Sequence, residues 1–201
     1  MRKLLFGWSL VLLISLVAAI SYFAVIAWTE PLNEAIRLVV VLTARCSFLL
    51  FSLYFLSVTL RVSDQSYNKV SYQNWLILNE KYFAISFFIS HFFHAVGLLA
   101  FYQIDPLAFL ARTTVASYIV GIPGYLIILG LTISYLNIIL SKEKDSGFAK
   151  KVIIPFGYAV WVLFILNYLK RALSVNFIYW LPVLVLFLLM AHRLKINLKR
   201  P

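Results

Sequence analysis

Two histidines lie three positions apart in a strongly apolar segment, His91 and His94. Ser86, Ser90 and His94 follow one another at intervals of four, and Gly97 comes three residues later. Residues three and four apart are neighbours on an α-helix, so these side chains would form one stripe. Histidine is a common axial ligand of heme iron, and small residues beside it leave room for a flat porphyrin. The stripe therefore indicates either a heme site on His94 and His91 or hydrogen bonding between packed helices.

Two further polar residues, Arg45 and Asn167, are expected at a similar membrane depth to His94. Arg45 either extends to the outer interface or offsets a buried anion such as a heme propionate. Asn167 is more typical of a hydrogen bond between helices than of an iron ligand, because an amide coordinates iron poorly. Counting about 1.5 Å per residue puts both, with His94 and Ser90, in the outer half of the membrane. This predicts one polar pocket that opens outward.

The elements that position these residues follow from composition. Of the 201 residues, 63% are hydrophobic and 12% are charged, whereas about a quarter of a soluble domain is charged. We expect an all-α integral membrane protein, a six-helix bundle forming a single transmembrane domain over 1–201. The apolar runs long enough to span a bilayer lie at about 5–28, 38–60, 82–102, 115–140, 152–169 and 175–192.

The basic residues predict the orientation of the chain. With the N-terminus inside, thirteen lysines and arginines fall in cytoplasmic segments and four in outer loops, which puts both termini in the cytoplasm. Although the net charge is +11, the charges lie in short loops, so membrane lipid is the expected partner and nucleic acid is not. The first apolar run is too long for a signal peptide and predicts a retained helix.

Motifs of catalysis are absent from the sequence. There is no dinucleotide-binding loop, P-loop or nucleophile elbow, so no catalytic residue is assigned. All seven acidic residues are expected in loops or at span ends. A proton-coupled transporter would bury one, so a small transporter is the weakest of the possible functions.

The chain resembles the ferric-reductase-like transmembrane domain, and most closely the heme-binding membrane subunit of bacterial periplasmic methionine-sulfoxide reductase systems. The resemblance covers roughly residues 38–195 and lies in three segments. Thr43-Ala44-Arg45 resembles the entry to the second span, and His94 falls at the heme-ligand position of the third. Phe156-Gly157-Tyr158, followed by Asn167-Tyr168-Leu169, resembles the fifth span. The family's two fifth-span histidines are missing, because Ile154 and Asn167 stand at those positions.

This resemblance implies a multi-pass protein of the bacterial cytoplasmic (inner) membrane that binds b-type heme. Such a subunit of an oxidoreductase passes electrons across or within the membrane to an outer acceptor. His94 would ligate the iron, His91 would lie nearby and Arg45 would face a propionate. The donor would be a quinone or a protein redox partner. The missing histidines support an alternative, a heme-less scaffold or anchor for a partner protein.

Overall fold

The computed structural model describes residues 6–63, 71–113, 115–140 and 147–198. The chain forms seven α-helices in this part: α1 Trp8–Trp28, α2 Leu32–Ser63, α3 Ser71–Ile104, α4 Pro106–Arg112, α5 Val115–Leu140, α6 Gly147–Ser174 and α7 Trp180–Leu198. A 3-10 turn, Phe177–Tyr179, precedes α7. No strand occurs among these residues.

Six of the helices are long and apolar enough to cross a membrane, and only the short α4 is not among them. The all-helical class and the six long apolar helices are therefore confirmed. The apolar stretches within them run Trp8–Trp28, Leu32–Arg61, Tyr72–Ile104, Gly121–Leu140, Lys151–Ser174 and Phe177–Ile196. The cytoplasmic placement of both termini stays a prediction. The assembly of the six helices into one bundle also stays a prediction.

The third long helix begins well before the expected residue 82. It starts at Ser71, so Glu80 and Lys81 lie within α3 and do not precede it. The physical reason is the apolar run Trp75–Leu78, which continues the helix on the far side of these two charges. In the same way α2 begins at Leu32, ahead of the expected residue 38.

The chain divides into two compact units, and three helices contribute to both. Unit 1 comprises Met1–Phe51 and Tyr82–Pro123, and unit 2 comprises Ser52–Lys81 and Gly124–Pro201. In unit 1, Phe51 and Phe87 are fully buried, with their rings 5.6 Å apart. In unit 2, Leu131 and Leu186 are fully buried, and Trp161 Nε1 donates to the Leu186 carbonyl at 3.0 Å, joining α6 to α7.

Six hydroxyl groups within the apolar helices form hydrogen bonds with the backbone of their own helix. Each donates to the carbonyl four residues earlier, so that no neighbouring helix is needed to offset its polarity. The residues that do so are Thr43, Ser47, Ser57, Thr59, Thr132 and Ser134. Because of this pairing within one helix, a serine or threonine can lie in the middle of an apolar helix without a hydrogen-bond partner on another helix.

Asp105 connects two elements of unit 1. Its carboxylate accepts from the Ala108 amide at 2.9 Å, capping α4, and from Asn33 Nδ2 at 3.3 Å, near the start of α2. Both hydrogen bonds favour the charged form, so they hold the pKa of Asp105 below its usual range, the Ala108 bond having the larger effect.

Candidate functional site

His94 is fixed by α2 in unit 1. Its Nδ1 lies 3.0 Å from the Val40 carbonyl oxygen and 3.3 Å from Thr43 Oγ1. A carbonyl oxygen only accepts, so the neutral ring carries its proton on Nδ1 and keeps a lone pair on Nε2. The side chain is half-buried. His94 is thus oriented through Nδ1, in the tautomer that carries the ring proton on that nitrogen.

Ser90 lies one turn before His94 and continues the same contact between the helices. Its Oγ is hydrogen-bonded to Ser47 Oγ at 3.1 Å and lies 3.4 Å from the Thr43 carbonyl oxygen. Ser47 and Ser90 are both buried. The structure therefore brings Ser90 and His94 together, as the sequence predicted, on the face of α3 that packs against α2.

His91 is the neighbour of His94 on the same helix. The two rings are 5.5 Å apart with an interplanar angle of 35°, and the His91 ring also packs on Phe87 at 5.6 Å. The two axial bonds of a heme iron point in opposite directions. Rings on adjacent turns of one helix are therefore poorly placed to supply both, and His94 is the better single ligand.

The other two residues of the predicted pocket are both exposed. Arg45 is exposed on α2, two residues after Thr43 and so on a different side of that helix. Asn167 is exposed on α6, in unit 2. The Arg45 side chain is therefore directed away from the contacts that Thr43 and Ser47 make.

The space beside Gly97 is occupied. A Cβ added there would lie 3.0 Å from Val40 Cγ2. Gly97 therefore serves close approach of α3 to α2, the commoner role of glycine between membrane helices. The open slot for a porphyrin that the sequence suggested is not at this glycine.

The chemistry of His94 nonetheless fits a heme ligand. Metal-binding histidines generally donate their second ring N–H to a backbone carbonyl or carboxylate, which fixes the tautomer and raises ligand basicity. The Val40 carbonyl is in that position. Among the described residues, no group of three or more His, Cys, Asp or Glu side chains could hold a metal ion directly.

A second polar cluster, in unit 2, was missed by the sequence analysis. Glu80 is 3% exposed, and its Oε2 lies 3.1 Å from Arg61 Nε. Tyr135 donates to Glu80 Oε1 at 2.5 Å and is hydrogen-bonded in turn to Tyr54. The expectation that every acidic residue lies in a loop or at a span end is therefore wrong, and so is the argument it gave against a transporter.

One feature of the sequence could have revealed this cluster. The run Trp75–Leu78 before Glu80 is apolar, so the charge has apolar sequence on both sides. A carboxylate in that setting is expected to be buried and paired. The identity of its partners, Arg61 and Tyr135, depends on helix packing that no local pattern encodes.

Comparisons with protein-family models, with curated proteins and with solved structures found no match to this chain.

Proposed function

We propose that the chain is a b-type heme subunit of an oxidoreductase in the bacterial cytoplasmic membrane. It would pass electrons across or within the membrane to an acceptor on the outer side. The observation that supports the proposal is the hydrogen bond from His94 Nδ1 to the Val40 carbonyl, which fixes the ring tautomer as in histidines that ligate a metal through Nε2. The donor would be a quinone or a protein redox partner, because the sequence has no dinucleotide-binding motif.

The side chains around His94 would hold and orient it. The Val40 carbonyl fixes the ring tautomer, and the Thr43 hydroxyl lies against the same nitrogen. The Ser47–Ser90 hydrogen bond keeps α2 and α3 in register one turn away. When bound, heme supplies the one-electron carrier that no side chain provides. Arg45 is exposed on another side of α2, so no propionate contact is included in this proposal.

A heme-less scaffold or anchor for a partner protein is the second candidate, and two packing observations favour it. Val40 fills the space beside Gly97 in unit 1. Ile154, which stands where the resembled family has a fifth-span histidine, lines a cavity of about 10 Å³ in unit 2, roughly the size of one water molecule. On this alternative, His94 simply joins α3 to α2.

An absorption spectrum of the detergent-purified chain, before and after dithionite, tests the proposal. We expect a Soret band that shifts on reduction and a sharp alpha band. His94→Ala is expected to lose both bands without loss of expression, because the iron ligand is removed. His192→Ala is the matched control, since His192 is exposed near the end of α7, in the other unit, and its loss should leave the spectrum unchanged.

Two results would contradict the heme proposal. One is a folded protein that stays colourless when heme is supplied during expression, which would favour the scaffold. The other is a pigmented protein in which His94→Ala retains the full spectrum, which would place the heme on another ligand.

A further inference from the structure

Arg193 is a buried cation at the inner end of α7 in the predicted orientation. It is 4% exposed, and both of its described hydrogen bonds go to neutral acceptors. Nη1 donates to the Val58 carbonyl at 2.9 Å, and Nε donates to the Tyr158 hydroxyl at 3.3 Å. All three residues belong to unit 2, where Arg193 connects α7 with α2 and α6.

The charge of Arg193 has no counter-ion in the described part of the chain. No carboxylate there lies within ion-pair distance of its guanidinium, and the buried Glu80 is paired with Arg61. A guanidinium has five N–H donors, of which the Val58 and Tyr158 bonds use two. A buried charge is costly unless an opposite charge and further hydrogen bonds offset it. An anion from outside the chain would supply both.

Donors from two side chains meet at one cavity. Arg193 and Tyr158 line it together with Tyr54, Thr59 and Gly157, and its volume of about 10 Å³ admits one oxygen-sized group. The Tyr158 oxygen accepts from Arg193, and among the described residues no acceptor takes the Tyr158 hydroxyl proton. An oxygen atom in the cavity could therefore accept from the Tyr158 hydroxyl and from the guanidinium.

The position of the site favours a lipid as the source of that oxygen. Arg193 comes three residues before the end of the apolar stretch Phe177–Ile196, which is about 5 Å from the membrane interface. Lys195, two residues further along α7, is exposed and lies on a different side of the helix. Basic pockets between membrane helices at this depth bind the headgroups of anionic lipids.

We propose that Arg193 and Tyr158 form a binding site for the phosphate of an anionic phospholipid headgroup. One phosphate oxygen enters the cavity and accepts from the guanidinium and the Tyr158 hydroxyl, while the rest of the headgroup stays outside. The acyl chains run along the apolar surface of α7. This site is separate from His94, and its existence does not depend on heme binding.

Native mass spectrometry of the full chain in neutral detergent tests the site. The chain is titrated with phosphatidylglycerol or with phosphatidylcholine of identical acyl chains. We expect the wild type to bind the anionic lipid about five- to tenfold more tightly. Arg193→Gln should reduce that preference to less than twofold. Lys195→Gln, which removes the same charge from an exposed neighbour, should keep it.

The other possible outcomes also test the proposed lipid site. A wild type without preference overturns the proposal, as does an equal loss in Arg193→Gln and Lys195→Gln, which would indicate diffuse surface charge. If Arg193→Gln does not fold, Tyr158→Phe replaces it and should lower the preference at least twofold; an unchanged preference overturns the site. If millimolar inorganic phosphate displaces the lipid, the site takes free anions, and the assignment to a lipid is wrong.

Discussion

At the scale of single residues, the chain stabilises buried charge in two ways. Glu80 has a charged partner in Arg61 and a strong donor in Tyr135. Among the described residues, Arg193 has two neutral acceptors, the Val58 carbonyl and the Tyr158 hydroxyl. Removing one member of a buried polar pair leaves the other unsatisfied, which costs more than the pair itself contributes. Single substitutions at these positions are therefore informative.

Tyr135→Phe should destabilise the chain, because the Glu80 carboxylate loses a buried donor. A hydrogen bond to a charged group is worth about 1.5–3 kcal/mol, and we expect a loss of that size. The phenylalanine keeps the edge-on ring contact with Tyr54, whose centroid lies 5.9 Å away. The free energy of unfolding would be measured by SDS titration in mixed micelles, followed by tryptophan fluorescence.

Tyr102→Phe is the control for this substitution. Tyr102 is 48% exposed, and its ring contact with Phe109 survives the change. We expect an effect within about 0.5 kcal/mol, as for most surface substitutions. If the two variants unfold alike, the hydrogen bond from Tyr135 to Glu80 contributes no net stability.

The residue scale also marks where sequence reasoning ends. His94 and Ser90 could be found because their spacing of four defines one face of a single helix. The partners of Glu80 and Arg193 could not, because they come from helices distant in sequence. The apolar run before Glu80 was the only local indication of its burial.

At the scale of helices, small residues set how closely neighbouring helices approach. Gly97 in unit 1 meets Val40, and Gly130 in unit 2 meets Phe156, whose Cε2 would lie 2.5 Å from an added Cβ. Gly121 has nothing within 4 Å of that position. The sequence gives the positions of these glycines. It could not rank them, because the rank depends on the neighbouring side chain.

Alanine at each glycine should reproduce that rank in unfolding free energy. Gly130→Ala is expected to cost most, about 1–3 kcal/mol, since the Phe156 ring must move. Gly97→Ala should cost less, because a shift of a few tenths of an ångström in Val40 suffices. Gly121→Ala is the control and should be neutral, or stabilising by up to about 1 kcal/mol through helix propensity.

A double variant separates packing from propensity. Val40→Ala removes the methyl group that meets the new Cβ, so it should restore most of the stability lost in Gly97→Ala. It leaves the Val40 carbonyl free to accept from His94. Additive losses in the double variant would show that α2 and α3 are not in close contact at Gly97.

At the scale of the whole molecule, composition was sufficient for the fold class. Six apolar stretches separated by short charged segments leave little alternative to membrane helices. Helix bounds were harder, because hydropathy marks the most apolar part of a helix, whereas α2 and α3 extend beyond the predicted bounds through Leu32–Arg37 and Ser71–Lys81. Orientation is encoded differently again, in the distribution of basic residues relative to the membrane.

The basic-residue bias makes a sharp prediction about sidedness. Cys46 is the only cysteine, so Cys46→Ser gives a background without thiols in which single cysteines can be labelled. Lys170 and Lys195 are both exposed, near the ends of α6 and α7. With both termini cytoplasmic, a membrane-impermeant maleimide added to intact cells should label Lys170→Cys at once. It should label Lys195→Cys only after permeabilisation, because that residue would then face the cytoplasm.

The reverse labelling pattern would show that the orientation is opposite to the predicted one. The basic end of α7, with Arg193, would then lie at the outer leaflet. Labelling of both positions in intact cells would mean that α7 does not span the membrane, since the two residues flank it.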